Sequence, residues 1–167
     1  VPLLRKEVRD QLTSKNPFFQ HAEAKYFIAE DRGKTVGRIA SIVNRRHMEF
    51  HNEKTGFFGF FESAHDPEAS GELLGTVAHE LRMQGMETMR GPMNFSTNEE
   101  CGFLIEGFDT PPMLMTPYNP PYYSDLMEKY GMQKSKDLYA YIYDVRENPP
   151  EKVIRVARIA ERRGISV

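Results

Sequence analysis

Residues 55–71 read TGFFGFFESAHDPEASG, an aromatic strand pattern followed directly by the start of a helix. Strict alternation predicts that residues 58, 60 and 62 share one face of the strand and residues 57, 59 and 61 the other. The glycines inside it indicate a bulge or the close approach of another segment. Asp66 is a preferred N-cap, Pro67 fits the first helical position, and Glu68 puts a negative charge in the first turn. The stretch therefore predicts a strand that leads into a helix, which ends near Gly85.

The chain on either side of this stretch contains further helix and strand patterns. In chain order, these predict a helix at 3–12, strands at 26–29, 36–43 and 87–93, a helix at 123–130, a strand at 138–145 and a helix at 151–163. Gly33 is expected at the positive-φ position of a hairpin turn between the first two strands. Arg45 to Lys54 is predicted to be a polar connection. His47 and His51 within it are a candidate metal pair, but a third ligand at a motif spacing is missing.

Length, composition and charge restrict the class of protein. The 167 residues are 40% hydrophobic and 28% charged with a net charge of −2, which predicts one globular domain without a nucleic-acid or membrane partner. One cysteine and the lack of an apolar run near ~18 residues lead us to expect a cytoplasmic protein. The chain begins without Met and ends in GISV, so we expect a piece of a longer polypeptide. Its parts are predicted as a domain at 1–147 and a linker and helix at 148–167 that lead to a further element.

A long segment at 91–123, GPMNFSTNEECGFLIEGFDTPPMLMTPYNPPYY, has neither helical nor strand periodicity. Connections of this length are uncommon in compact domains unless they are functional or disordered, and this one is too apolar to be disordered. We therefore expect an ordered loop that binds a ligand. Its candidate substrate-binding residues are Asn94, Ser96, Asn98, Glu99, Glu100, Tyr118 and Asn119. Several of these types are equally common as turn and cap residues.

The order of predicted elements resembles the GNAT (GCN5-related N-acetyltransferase-like) superfamily over about residues 20–145. The runs GRIASIVNRRHMEFH, TGFFGFFE, RGPMNFSTNEECG and PYNPPYY are similar to an uncharacterised bacterial GNAT-like family. The resemblance implies an α/β (α+β) fold with a mixed, mostly antiparallel twisted sheet flanked by helices. It also implies an N-acyltransferase that uses acetyl-CoA or another acyl-CoA as co-substrate and a small-molecule or peptide amine as acceptor, without a metal.

The resemblance also assigns roles to individual residues. It implies that Glu62 is the general base, that Tyr122 and Tyr123 replace the usual acid, and that Phe60, Phe61 and Gly71 contact the acyl donor. The family's catalytic tyrosine position is Met127 in this chain.

The pyrophosphate loop departs from the family pattern, because Asp66 and Glu68 bring negative charge where an anion should bind. An alternative function is therefore a catalytically inactive binding module, whose loop 91–123 binds a small molecule or a protein partner. Another domain of a longer chain and a second copy of this chain are further expected partners.

Overall fold

A computed structural model describes residues 5–144 and 146–165 of the chain. The chain divides into two compact units, Val1–Lys136 and Asp137–Val167. The boundary between residues 147 and 148 that the sequence predicted falls inside the second unit. The elements of the first unit are α1 (Arg5–Gln11), a 3₁₀ turn (Pro17–Gln20), β1 (Ala22–Asp31), β2 (Lys34–Asn44), α2 (Arg45–His51), β3 (Thr55–Ser63), α3 (Pro67–Met83), β4 (Thr88–Arg90) and α4 (Tyr123–Tyr130). The second unit contains α5 (Glu151–Arg162).

The first unit contains a four-stranded sheet with the order β1-β2-β3-β4. The first three strands are antiparallel, and β4 pairs in parallel with the start of β3. The predicted mixed, mostly antiparallel sheet flanked by helices is therefore confirmed. The hairpin between β1 and β2 turns through Arg32 (φ 49°) and Gly33 (φ 77°), as the two-residue turn of such a hairpin requires.

The two faces of the sheet are covered by different segments. On one face, α3 and α4 bury an apolar cluster around Ile39, Phe58 and Leu74. On the other face, Phe95 of the long loop packs against the sheet together with the aromatic residues of the 3₁₀ turn. The strand predicted at 36–43 is confirmed as part of β2, whose neighbouring residues Ile39 and Ala40 belong to the first and the second cluster respectively.

The faces predicted for β3 were wrong beyond Gly59, because the strand contains a bulge. Arg38 pairs with Glu62 and Ala40 with Gly59, so two residues of β3 lie opposite one residue of β2. Phe60 has a φ of 51°, which is a left-handed conformation for a non-glycine residue. As a result, Phe61 lies in the same apolar cluster as Phe58, and Phe60 packs on the opposite face.

The capping residue predicted for α3 is confirmed, whereas the cap of α2 was not recognised in the sequence. Asp66 caps α3 by accepting hydrogen bonds from the backbone amides of Glu68 and Ala69 at 2.9 and 3.3 Å. The polar connection predicted after β2 was wrong, because most of it forms α2. Asn44 caps that helix by accepting a hydrogen bond from the His47 amide at 3.2 Å.

The described part of the second unit contains α5, preceded by a segment that is neither helix nor strand. The strand predicted at 138–145 was wrong for residues 138–144, which pair with no strand among the described residues; residue 145 lies outside them. The predicted last helix is confirmed as α5, and its described side chains include none that is buried. Among residues 5–144 and 146–165, no helix has the length and apolarity needed to cross a membrane.

Candidate active site

The end of β3 brings together the three residues predicted to be catalytic. The Tyr123 hydroxyl lies 3.1 Å from Oε2 of Glu62, to which it donates a hydrogen bond, and it accepts one from the Ser63 amide at 3.1 Å. Tyr122 donates a hydrogen bond to the Ser63 carbonyl at 2.9 Å. Two neighbouring tyrosines at the start of α4 therefore hold both backbone groups of the residue next to Glu62.

Tyr122 and Tyr123 differ in how deeply they are buried. Tyr123 is 3% exposed, and its ring packs against Phe61 and Phe103 at centroid distances of 5.1 and 5.6 Å. This burial, together with the neighbouring Glu62 carboxylate, raises the pKa of Tyr123 to about 12. Tyr123 therefore keeps its proton and acts as a hydrogen-bond donor to Glu62, whereas Tyr122 is only partly buried.

Two residues near Glu62 were not predicted from the sequence. Arg38 lies directly opposite Glu62 in the strand pairing, and its guanidinium is 3.4 Å from the carboxylate. The ring of His65 stacks on Tyr122 at 4.3 Å with an interplanar angle of 14°. Neither contact was predictable from the sequence, because the pairing of Arg38 with Glu62 depends on the bulge in β3, and the contact between His65 and Tyr122 joins distant parts of the sequence. The side chain of Glu62 remains 58% exposed, so its carboxylate is accessible from outside the protein.

The residues predicted to contact an acyl donor have different surroundings. Phe61 is 7% exposed within the apolar cluster under α3, and Phe60 packs against Phe95 at 4.9 Å on the other face. Gly71 lies in α3, where an added methyl group would meet no atom within 4 Å. The described structure therefore does not bring these three residues to one surface, and their contact with a donor stays a prediction.

The predicted substrate-binding residues at 94–100 of the long loop form hydrogen bonds within the loop and to β3. Asn94 accepts a hydrogen bond from the Phe60 amide at 2.7 Å and donates one to Glu100 at 3.1 Å. The Ser96 hydroxyl accepts from the Asn98 amide at 3.3 Å, and partial burial raises the pKa of Glu99. These contacts shape the loop, and direct substrate contact by these residues stays a prediction.

One side chain closes the second part of the loop at its base. Asn119 accepts a hydrogen bond from the Leu104 amide at 2.7 Å and donates one to the Leu104 carbonyl at 3.3 Å. Residues 105–118 consequently form a closed surface loop of the Ω type. Its exposed large apolar side chains are Ile105, Met113, Leu114, Met115 and Tyr118. Phe103, which precedes this loop, packs on the ring of Tyr123 at a centroid distance of 5.6 Å, and the hydroxyl of Tyr123 in turn contacts Glu62.

The two histidines considered for a metal form a different arrangement. His47 lies 2.7 Å from a carboxylate oxygen of Glu53, and its ring contacts that of His51 at 4.3 Å. Arg90 also reaches Glu53, at 3.3 Å. Within the described residues, no group of three or more His, Cys, Asp or Glu side chains is arranged to hold a metal ion.

Cys101 is partly buried, which raises the pKa of its thiol.

Comparison with known proteins identifies two bacterial relatives. The chain is 36% identical over 141 residues to Protein YghO of Escherichia coli (strain K12), a match that covers 84% of this chain and 36% of that protein. It is 38% identical over 161 residues to the bacterial ceramide synthase of Caulobacter vibrioides (strain NA1000 / CB15N), which covers 95% of this chain and 41% of that protein. No protein-family model and no solved structure matches the chain. The chain thus spans about two fifths of the length of these curated relatives and is similar in sequence to both.

Proposed function

We propose that this chain is the acyl-transfer part of an N-acyltransferase, which joins an acyl group from a thioester such as an acyl-CoA to the amino group of a long-chain amine. The observation that carries the proposal is the hydrogen-bonded contact between Glu62 and Tyr123 at the exposed end of β3. The relative named bacterial ceramide synthase supports it, because ceramide is the amide of a fatty acid and a long-chain amino alcohol.

In the proposed reaction, the Glu62 carboxylate removes a proton from the amine, either directly or through a water molecule. The amine nitrogen attacks the thioester carbonyl, the new C–N bond forms and the C–S bond breaks. Tyr122 supplies a proton to the departing thiolate, and the proton taken up by Glu62 then returns to Tyr122 through water, so that an amide and a free thiol are the products. Tyr123 is a poor acid for that step because its pKa is about 12, so its role is to orient the carboxylate.

The closed loop at 105–118 supports a substrate with a long apolar chain. A soluble protein rarely exposes several large apolar side chains together unless they contact a ligand, a membrane or another protein. Leu114 is 93% exposed, and the loop leaves the domain beside Tyr123. An alkyl chain attached to an amine at Glu62 can lie along this loop.

The start of α3 favours a second function, a binding module without acyl transfer. Asp66 already occupies the first free amides of this helix, and Glu68 adds a second negative charge there. A pyrophosphate group would be repelled at this end of the helix. Calorimetric titration of the full-length protein with acyl-CoA separates the two functions, because a pure binding module of this type should not bind it.

The direct test measures amide formation by the full-length protein from palmitoyl-CoA and sphinganine, with mass spectrometry of the product. Glu62→Gln should lower kcat by about 10²–10⁴-fold, which is the usual contribution of a general base. Glu72→Gln, which neutralises an exposed carboxylate on α3, is the matched control and should leave kcat unchanged. Amide formation that survives unchanged in Glu62→Gln would refute the proposed base.

A further inference from the structure

We propose that Asn94 is a positioning residue, which aims the Glu62 carboxylate by holding the bulge of β3 in place. The inference rests on the proposed function in assuming that Glu62 is the base. Asn94 is 34 residues from Phe60 in the sequence, yet its side-chain oxygen accepts the Phe60 amide hydrogen at 2.7 Å. This contact joins the long loop to the strand that carries Glu62.

The bulge decides which face of the sheet Glu62 occupies. In a regular strand, residues 58, 60 and 62 would share one face, and Glu62 would point into the apolar cluster beneath α3 and α4. The extra residue shifts the alternation, so that Phe58 and Phe61 share the helix-covered face. Glu62 then lies on the opposite face beside Arg38 and within reach of the Tyr123 hydroxyl.

The bulge requires support from outside the strand. The left-handed conformation of Phe60 is unfavourable for a non-glycine side chain and persists only where its surroundings hold it. Two contacts from the loop do so. The Met93 amide donates to the Phe58 carbonyl at 2.8 Å, and Asn94 binds the Phe60 amide, which the bulge removes from the regular ladder. Gly59 makes this approach possible, because a Cβ there would lie 2.1 Å from the Met93 carbonyl oxygen.

The remaining contacts of Asn94 fix its own orientation. Its side-chain nitrogen donates to the Glu100 carboxylate at 3.1 Å, and its backbone amide donates to the Glu100 carbonyl at 2.9 Å. Both ends of the side-chain amide are therefore bound within the protein. We therefore infer that Asn94 acts on Glu62 through Phe60 and the strand, and not through direct contact with a substrate.

Three variants of the full-length protein separate the contributions of the oxygen and the nitrogen of the Asn94 side-chain amide. Asn94→Ala removes both contacts and should lower kcat for amide formation at least tenfold while changing KM for the amine less than threefold. Asn94→Asp keeps the acceptor for Phe60 but places two carboxylates together at Glu100. The double variant Asn94→Asp/Glu100→Gln keeps the acceptor and restores a donor, and should return kcat to within threefold of the wild-type value.

A double-mutant cycle with Glu62→Gln distinguishes positioning from a general structural role. If Asn94 acts through Glu62, adding Asn94→Ala to Glu62→Gln should reduce kcat less than twofold further. The inference would be overturned if Asn94→Ala lowered kcat as much in the Glu62→Gln protein as in the wild type. It would also be overturned if kcat did not recover in Asn94→Asp/Glu100→Gln.

A readout that does not need activity keeps this inference separate from the proposed function. The Glu62 carboxylate helps to raise the pKa of Tyr123, so its displacement should lower that pKa. NMR titration of ¹³C-labelled tyrosine should show the same downward shift in Asn94→Ala as in Glu62→Gln, and no further shift in the double variant. If wild-type protein forms no amide but this pattern appears, the proposed function fails and the positioning role stands. An unchanged titration of Tyr123 in Asn94→Ala would remove the positioning role even in an active enzyme.

Discussion

Replacing Tyr123 by Phe should produce a loss of stability whose size depends on pH. The substitution leaves the buried Ser63 amide without its acceptor and removes the hydrogen bond to Glu62. Leaving a buried donor unpaired costs about 1–3 kcal/mol, so Tyr123→Phe should lower the free energy of unfolding by about that amount at pH 8.

The pH dependence follows from the raised pKa of Tyr123. Its value is about 12 in the folded protein against 10 for an ordinary tyrosine. Below pH 10 the phenol is protonated in both states, and its contribution to stability is complete. Above pH 10 the unfolded chain releases the proton first, so the wild-type protein loses about 1.4 kcal/mol by pH 11 and approaches a limit of about 2.7 kcal/mol well above pH 12. Tyr123→Phe has no such loss, and its deficit should shrink accordingly.

Urea unfolding of both proteins at pH 8, 9, 10 and 11 measures this difference. The other tyrosines and the lysines are common to both chains, so their titration cancels in the comparison. The deficit of Tyr123→Phe should fall by about 1.4 kcal/mol between pH 8 and pH 11. A deficit that stays constant over this range would refute the coupling between burial, Glu62 and the Tyr123 phenol.

Further substitutions test the backbone and the exposed loop. Gly59→Ala should destabilise the fold by about 2–3 kcal/mol in urea unfolding, because its Cβ would lie 2.1 Å from the Met93 carbonyl oxygen. Gly71→Ala should stabilise by about 0.5–1 kcal/mol in the same assay, because it lies in a helix with open space around it; a loss would contradict this. Leu114→Ser should raise KM for sphinganine about tenfold and leave KM for butylamine unchanged, since a buried Leu contributes about 1.5–3 kcal/mol. Ile28→Ser, at an exposed apolar residue of β1, is the control and should change neither KM.

Local chemistry in the sequence was sufficient to predict much of the fold. Asp66 and Pro67 predicted the start of α3 because a cap and a fixed φ act within one turn of the chain. Gly33 predicted the hairpin for the same local reason. Asn44 could have predicted α2 as a cap, but the polar composition after it was interpreted as a connection.

Features that depend on distant contacts were not predictable in this way. The bulge at Phe60 is held by a side chain 34 residues away, so the alternation of the strand alone gave the wrong face for Glu62. The predicted strand at 138–145 has the right alternation, but a strand also needs a neighbour, and none pairs with residues 138–144 in the described part of the chain.

The candidate site was only partly accessible from the sequence. The resemblance led to Glu62, Tyr122 and Tyr123, which the structure places in hydrogen-bonding contact around Ser63. Charge and polarity in the loop suggested ligand contacts at Asn94 and Asn119. Their side-chain oxygens accept hydrogen bonds from backbone amides, a role that composition cannot distinguish from substrate binding, and substrate contact by these residues stays a prediction.

The hydrogen bonds of Asn119 to Leu104 have a consequence for how the sequence of this loop can vary. Because a single side chain fastens the two ends, the residues between them can be exchanged without moving the tyrosines that follow. Doubling the length of a flexible insert costs only about 0.6 kcal/mol in closure entropy. We therefore expect that residues 105–118 can be exchanged between related proteins while Tyr122 and Tyr123 keep their positions.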